Sequence, residues 1–246
     1  MIVKRIVILA NSIKNQNRCI AGRELWYSRG VHRVGPWVRP VTDVGKGEIA
    51  LDQSALPDGS QPTVMDIIDV PLLEHANDPT QPENWRLATD KPWRRVTTVP
   101  AVPVELLREE PANLWIEFNQ ETDRISAAAV AASGRSNSLV LIRPRHFRLV
   151  ARTEKGGAKG FDRRRRRAVF EYGHDRYNLS VTDPTIDARY FTPFPLPHEG
   201  PRKVEGPGGD NCLICVSRTP VYEDGCHYKV VATVIECDGS TGSVSC

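Results

Sequence analysis

The sequence predicts a mainly β protein built from small barrels, and three observations support this fold class. Short apolar runs recur along the chain, turn-forming residues separate them, and little of the chain shows the 3.6-residue period of a helix. Nineteen prolines and eighteen glycines among 246 residues indicate many turns and few long helices. Several short strands divided by turns favour a β-barrel.

The first half of the chain is predicted to be a series of strands. Residues 2–9 are mostly β-branched and alternate poorly, which is typical of a buried strand, whereas residues 20–27 suit either a short helix or a second strand. Residues 11–17 and 50–60 are predicted to be a turn and a loop. Further strands are predicted at 37–42, at 64–73 with its end at Pro71, and at 81–87.

The middle of the chain is predicted to be more helical, at 104–108, 112–118 and 126–132. Three prolines punctuate it, so we expect the domain boundary here. The second half returns to strands, at 138–142, 147–151, 212–217 and 228–236, with a hairpin of 163–172 and 176–182. The predicted division is a first barrel at 1–100, a helical connector at 101–135, a second barrel at 136–238 and a flexible tail at 239–246.

Charge and composition limit the partners. The formal charge is +3, which permits an anionic partner without requiring one. We find no signal peptide and no apolar run near the ~20 residues that cross a bilayer, so we expect no membrane partner. The six cysteines do not look like a disulfide framework, and we expect a reduced, cytoplasmic protein.

Several short motifs, in order along nearly the whole chain, resemble the prokaryotic dual OB-containing domain family. They are Ile8-Leu9-Ala10-Asn11-Ser12, Arg18-Cys19-Ile20-Ala21-Gly22, Trp37-Val38-Arg39-Pro40-Val41, Gln81-Pro82-Glu83-Asn84, Tyr177-Asn178-Leu179-Ser180-Val181-Thr182-Asp183-Pro184 and Tyr228-Lys229-Val230-Val231-Ala232. The resemblance implies two tandem OB-like β-barrels with a short helical connector. It also implies a role in nucleic-acid binding or processing, in a defence system against mobile elements or in DNA processing. It brings no catalytic residues that transfer to this chain.

A nucleic-acid groove is predicted on the first barrel. An OB face binds single strands by stacking bases on aromatic rings and following phosphates with cations, and stacking contributes about 1–3 kcal/mol per base. The candidate residues are Arg18, Arg23, Trp26, Trp37 and Arg39. The alternative is that both tryptophans are core residues and the arginines are solvated, and for Trp37 this alternative is at least as good.

A run of five arginines, from Arg163 to Arg167, is the second candidate contact. On a strand, Arg163, Arg165 and Arg167 would share one face, and Arg164 and Arg166 the other. Because a buried face cannot hold unpaired arginine, we expect a loop or a strand edge. The run then serves either as a phosphate contact with steep salt dependence or as a solvated arm.

Metal and catalytic sites have weaker support. Cys212-x-x-Cys215 with Cys226 and His227 has zinc-like spacing, but plain core cysteines are favoured because Cys226 and His227 point to opposite faces of a strand. We identify no catalytic residues, no metal ligands and no cofactor. Ser180 and Thr182 share a strand face, and Asp183 before proline is expected to form a turn.

The sequence therefore predicts a non-catalytic nucleic-acid-binding accessory protein that favours single strands and has a possible protein partner. One alternative is an enzyme acting on nucleotides or nucleic acid, with Asp66, Glu83 and Asn84 in a pocket between the barrels. The other is a protein-interaction scaffold, which would expose a large apolar patch and lack a basic groove.

Overall fold

A computed structural model describes residues 1–14, 16–43, 45, 47–115, 123–134, 137–154, 163–192, 202–204 and 211–237. The predicted tail at 239–246 lies outside them, as do residues 116–118 of the predicted connector. Within the described ranges, no helix is long and apolar enough to span a bilayer.

The first half forms a closed five-stranded barrel. Its strands are β1 (Ile2–Lys14), β2 (Asn17–Ser28), β3 (Val31–Val41), β4 (Ile67–His75) and β5 (Asn84–Leu87). The strand order is β1-β2-β3-β5-β4, β4 returns to pair with β1, and β3 runs parallel to β5. This is the Greek-key closure of an OB barrel. The short strand β6 (Arg94–Arg95) adds to β4, and one helical turn, α1 (Leu51–Ser54), lies between β3 and β4.

In its described residues, the connecting region contains less helix than predicted, since 112–115 are not helical. A 3₁₀ turn covers Val104–Leu106, and strand β7 (Arg124–Ser126) follows. The alanine-rich segment forms α2 (Ala127–Ala132), as predicted, because Ser126 caps it by accepting a hydrogen bond from the Ala129 backbone N–H at 3.1 Å.

The second half repeats the connectivity of the first. Its strands are β8 (Leu139–Ile142), β9 (Arg145–Glu154), β10 (Arg163–Tyr172), β11 (Asp175–Val181), β12 (Arg202–Val204), β13 (Cys212–Arg218) and β14 (Cys226–Glu236). The sheet order is β12-β9-β10-β11-β14-β13-β8, with β7 added to β14. A helical turn, α3 (Pro184–Ile186), and a π-helical turn, Asp187–Phe191, follow β11.

The strands β8 and β9 together take the place of β1. In the first barrel, the first half of β1 pairs with β4 and its second half with β2, with a bulge between Ile8 and Ala10. In the second half, β8 pairs with β13 and β9 with β10, and only Arg143 and Pro144 separate them. The parallel pair β11–β14 corresponds to β3–β5. The two halves are therefore two OB-like barrels.

Three apolar clusters account for the packing. One fills the first barrel and includes Ile6, Ile8 and Val38, and another fills the second and includes Val140, Ile142 and Phe170. The third, here called the shared layer, lies between the barrels. It contains the opposite faces of the same strands, for example Val7 and Leu9 of β1, Leu139 and Leu141 of β8, and Leu213 and Cys215 of β13. Burial on both faces explains why these strands read as unbroken apolar runs.

The predictions of individual elements have mixed outcomes. The first strand and the hairpin of β10 and β11 are confirmed, and residues 20–27 belong to a strand rather than a helix. Two predictions are wrong. The predicted turn at 11–17 begins inside β1, which continues to Lys14, and β4 continues past Pro71 to His75 because Pro71 takes part through its carbonyl, which accepts from Ala88 N–H at 3.1 Å.

The loop prediction for 50–60 is also partly wrong, because α1 forms within it. The predicted domain boundaries at 100, 135 and 238 stay a prediction. The similarity between Trp37-Val38-Arg39-Pro40 and Leu141-Ile142-Arg143-Pro144 does not mark equivalent positions, since the first lies in β3 and the second begins in β8.

The shared layer gives a stability prediction. Leu213→Ala should lower the free energy of unfolding by about 2–5 kcal/mol, because Leu213 is fully buried between the barrels. Leu106→Ala, at an exposed leucine, is the matched control and should change it by less than about 0.5 kcal/mol. Chemical denaturation followed by circular dichroism measures both. Equal effects of the two substitutions would contradict the layer.

Candidate nucleic-acid interface

OB barrels bind oligonucleotides on the outer face of their second and third strands and with the loops after the first and fourth strands. In the first barrel, that outer face carries Ala21, Leu25 and Trp37, and all three belong to the shared layer. The face is therefore covered by the connector and the second barrel. A strand of nucleic acid therefore cannot lie along this face as it does on a single OB barrel.

The two loops of the first barrel that commonly bind ligand also contact the second barrel. Before the β1–β2 turn, Ile13 N–H donates to the carbonyl of Thr182 at 3.3 Å. In the β4–β5 loop, Gln81 Nε2 donates to the carbonyl of Arg218 at 3.2 Å, and Arg218 Nη2 donates to the carbonyl of Thr80 at 2.9 Å. These loops therefore hold the two barrels together.

Trp37 and Arg23 form part of the contact between the barrel and the connector. Trp37 is 6% exposed, and its Nε1–H donates to Glu109 Oε2 at 2.8 Å. The Arg23 guanidinium lies 6.0 Å from the centre of the Trp37 ring and 3.5 Å from Glu109 Oε1. Glu109 also accepts from Leu141 N–H at 3.1 Å, so the cluster reaches β8 of the second barrel.

Arg39 lies in a buried polar network at the same junction. It is 9% exposed, and its Nη2 lies 3.1 Å from Glu83 Oε1 and donates to Ser138 Oγ at 3.0 Å. Glu83 accepts from the backbone N–H of Ser138 at 3.3 Å and from its hydroxyl. The network joins two motifs of the first barrel to β8 and β13 of the second. A buried charge pair that is also hydrogen-bonded through Ser138 favours one relative placement of the barrels.

Trp26 and Arg18 lie at different ends of the first barrel. Trp26 is 48% exposed and shares a concavity with Val3 at the start of β1. Arg18 follows the turn at the other end of β1, and its charge acts on Asp183 of the second barrel. The five predicted groove residues therefore do not meet in one open groove, because Trp37 and Arg39 are buried and Trp26 lies apart from Arg18.

The corresponding outer face of the second barrel exposes Arg148 and Arg176 to solvent, whereas Val169 between the strands is buried. We call it the basic face and define it by six polar side chains on the outward side of β9, β10 and β11, which are Arg148, Arg165, Arg167, Arg176, Asn178 and Ser180. Val169 and the carboxylate Glu171 lie on the same side of β10. Cross-strand pairing sets Val169 beside both Arg148 and Asn178, and Arg167 beside Ser180. Arg148 and Arg176 are exposed, so four guanidinium groups lie on one sheet face.

The arginine run divides between the two faces of β10, as strand alternation predicts. Arg166 points to the barrel side and forms an ion pair with Asp187 of the π-helical turn. Arg167 lies on the basic face, where it donates to Asp123 Oδ2 at 2.7 Å and Ser180 Oγ at 2.8 Å. The side chains of Arg163 and Arg164 lie outside the described residues. Among the described residues, 163–166 pair with β9 and with no second strand, so they form a strand edge rather than a loop.

A cleft between the barrels adjoins the basic face. It has a volume of about 170 Å³ and receives residues from each of the motifs that carried the family resemblance, among them Ser12, Cys19, Arg39, Gln81, Thr182 and Val230. Thr182 and Ser180 share the outer side of their segment, and Ser180 lies beside Val230 of β14. Ser180 of the basic face is therefore a neighbour of two residues that line the cleft, Thr182 and Val230.

Sequence reasoning missed two arginines of the basic face and the tyrosine pair near the cleft. Arg148 and Arg176 were overlooked because neither belongs to a charge run. Tyr222 and Tyr228 stack edge to face at 5.2 Å, and Tyr222 lies at the cleft. The alternation of charged and apolar residues in β9 and β11 carried the signal for the arginines. No local signal placed Tyr222, since it depends on the path of the β13–β14 loop.

The cysteines and carboxylates do not assemble into a site within the described ranges. Cys212 belongs to the core of the second barrel and Cys215 to the shared layer, so they lie on opposite faces of β13. No group of three or more potential metal ligands occurs among the described residues.

The carboxylates of the predicted pocket are engaged elsewhere. Asp66 pairs with Arg95 at 3.0 Å, whereas Glu83 pairs with Arg39. Asp183 caps α3 rather than forming a simple turn, because it accepts from Thr185 N–H at 2.8 Å.

A buried amine lies inside the second barrel, against the core residue Tyr177. Lys229 Nζ is 5.4 Å from the centre of the Tyr177 ring, and the Lys229 backbone N–H donates to the carbonyl of Asp123 at 2.7 Å. Burial lowers the pKa of Lys229 to about 8, although the charges of Asp123 and Asp175 act against this shift.

Comparison with known proteins identifies one family. A family model described as Dual OB-containing domain matches residues 4–234. No curated protein matches the chain, and no solved structure does.

The amine gives a pH prediction. An unfolded lysine keeps its proton up to about pH 10.5, whereas folded Lys229 loses it near pH 8, so the unfolded state binds more protons between these values. The free energy of unfolding should therefore rise with pH in that window, by up to about 1.4 kcal/mol per pH unit, relative to Lys229→Met. Urea denaturation of both proteins from pH 6 to 10.5 measures the difference. A pH-independent difference between the two would show that the amine keeps its ordinary pKa.

Proposed function

The chain belongs to the dual OB-containing domain family, and from that premise we propose that it is a nucleic-acid-binding accessory protein that contacts single strands through the basic face. OB domains commonly bind oligonucleotides. The observation that carries the proposal is the exposure of this face in the second barrel, where four arginines lie on the sheet face that OB barrels use.

The chemistry of the basic face suits a phosphate backbone. Guanidinium groups bind phosphate through paired N–H donors. The exposed Arg148 and Arg176 lie on either side of β10, where Arg148 pairs with Val169 and Arg176 with Glu171. His146, Arg148, Glu171 and Arg176 surround a shallow concavity of about 360 Å³. Asn178 and Ser180 add hydrogen-bonding groups between the arginines. Such a surface follows a backbone without reading its sequence.

Single strands are favoured over duplexes because an aromatic ring lines the cleft next to this face. Tyr222 lies at the cleft and packs against Tyr228, which pairs with Arg124 of β7. Unpaired bases stack on such rings, whereas duplex bases are already stacked. The role in defence or DNA processing that the resemblance implied stays a prediction, as does a protein partner.

Arg165 and Arg166 are neighbours on opposite faces of β10, so one can be changed as a test of the basic face and the other as its control. The double substitution Arg148→Gln and Arg165→Gln removes two cations from the basic face and should weaken binding of a single-stranded oligonucleotide several-fold, whatever its sequence. It should also reduce the slope of log K against log salt by about 1.4, at about 0.7 per phosphate contact. Fluorescence anisotropy over a salt series measures both quantities.

The control is Arg166→Gln, which changes the next residue of the same strand but acts on the ion pair with Asp187. It should leave the salt slope unchanged. If the double variant keeps the wild-type affinity and slope, or if Arg166→Gln reduces the slope equally, the basic face is not the contact.

A further inference from the structure

We propose that the cleft between the barrels is a nucleobase site, in which one base of the bound strand leaves the stack and is held by the Arg39 guanidinium. The proposal rests on the proposed function, because it assumes that a strand lies on the neighbouring basic face. It names the part of the ligand that enters the protein and the residue that recognises it.

The first support is the position of the cleft. It lies between the β1–β2 turn and the β4–β5 loop of the first barrel, where OB barrels hold ligand, and the second barrel closes its other side. Thr182 and Val230 line it and connect it to Ser180 on the basic face. A strand on that face would pass the mouth of the cleft.

The second support is the donor set inside the cleft. Arg39 makes its described contacts through Nη2 alone, to Glu83, Ser138 and Ser217. In the part of the chain that the structure describes, Nε and Nη1 of Arg39 take part in no hydrogen bond or ion pair, although the side chain is nine-tenths buried and lines the cleft. A buried guanidinium with spare N–H groups is stabilised by an acceptor that replaces water.

The third support is charge and size, which together select a base over a phosphate. Glu83 already neutralises the guanidinium from 3.1 Å, so a phosphate would meet a carboxylate as well as a cation. A neutral ring with acceptor atoms meets no such repulsion. The walls are largely apolar, with Ala21, Leu139 and Ala232 among them, and about 170 Å³ suits one ring system rather than a drug-sized ligand.

The chemistry of the guanidinium also ranks the bases. Guanine presents two adjacent acceptors, O6 and N7, to a spare N–H of the guanidinium, whereas adenine sets an amino donor beside N7. We therefore expect guanosine to bind in the cleft more tightly than adenosine does.

Cys19 gives a direct readout, because its half-buried thiol lines the cleft and Cys226, also half-buried, does not. Alkylation of the intact protein by iodoacetamide, followed by mass spectrometry of the peptides, measures the rate at each cysteine. Guanosine should slow alkylation of Cys19 by about tenfold at saturation and leave Cys226 unchanged, while adenosine at the same concentration protects Cys19 much less. Arg39→Lys keeps a cation opposite Glu83 but removes the Nε and Nη1 donors, and it should abolish the difference between guanosine and adenosine.

The outcomes separate the two proposals. If oligonucleotides bind but neither guanosine nor a guanine-containing oligonucleotide protects Cys19, the base site is wrong and the proposed function stands. Equal protection by guanosine and adenosine overturns recognition by Arg39. If guanosine protects Cys19 and no oligonucleotide binds, the base site is supported and the proposed function fails. Where Arg39→Lys does not fold, the wild-type comparison of the two nucleosides decides alone.

Discussion

The apolar layer between the barrels is the constraint on which the rest of the structure depends. Strands β1, β8 and β13 are buried on both faces, because one face fills a barrel and the other packs against the neighbouring barrel. This arrangement uses the outer face of the first barrel for packing. It leaves the equivalent face of the second barrel in water, and the charges follow that difference. Trp37 and Leu25 occupy the covered face, whereas Arg148 and Arg176 occupy the open one.

The polar contacts at the junction fix the geometry that the apolar layer alone leaves free. Hydrophobic burial is not directional, so a layer of leucine and valine tolerates sliding. The ion pair of Arg39 and Glu83, with its bonds to Ser138, and the bond from Trp37 to Glu109 each require one placement. The cleft exists because these contacts hold two curved surfaces together at their edges. Arg39 therefore both fixes the placement of the barrels and, in the proposed site, binds the base.

The sequence predicted the strands well where one or both faces are apolar. Burial of one face gives alternating apolar residues, and burial of both faces gives a continuous apolar run. It predicted the fold class and the family for the same reason, together with the order of the motifs. It could not predict which face of a strand meets the other barrel. Trp37 shows this, since an aromatic residue on a strand looks the same whether it faces solvent, a barrel core or a neighbouring domain. Arg166 shows it for charge, because its partner Asp187 lies far along the chain and alternation gives the face but not the partner. The motifs that carried the family resemblance line the cleft and form the contacts between the barrels. They do not form an open groove on the first barrel.

The central claim is that fusion of the two barrels covers one OB face and leaves the other as the interface. Hydrogen–deuterium exchange of the full chain, with and without a single-stranded oligonucleotide, tests it most directly. The account predicts slower exchange in peptides from β9, β10 and β11, and no change at the β2–β3 hairpin near Trp26. Slower exchange confined to β2 and β3, with β9 to β11 unchanged, would contradict it.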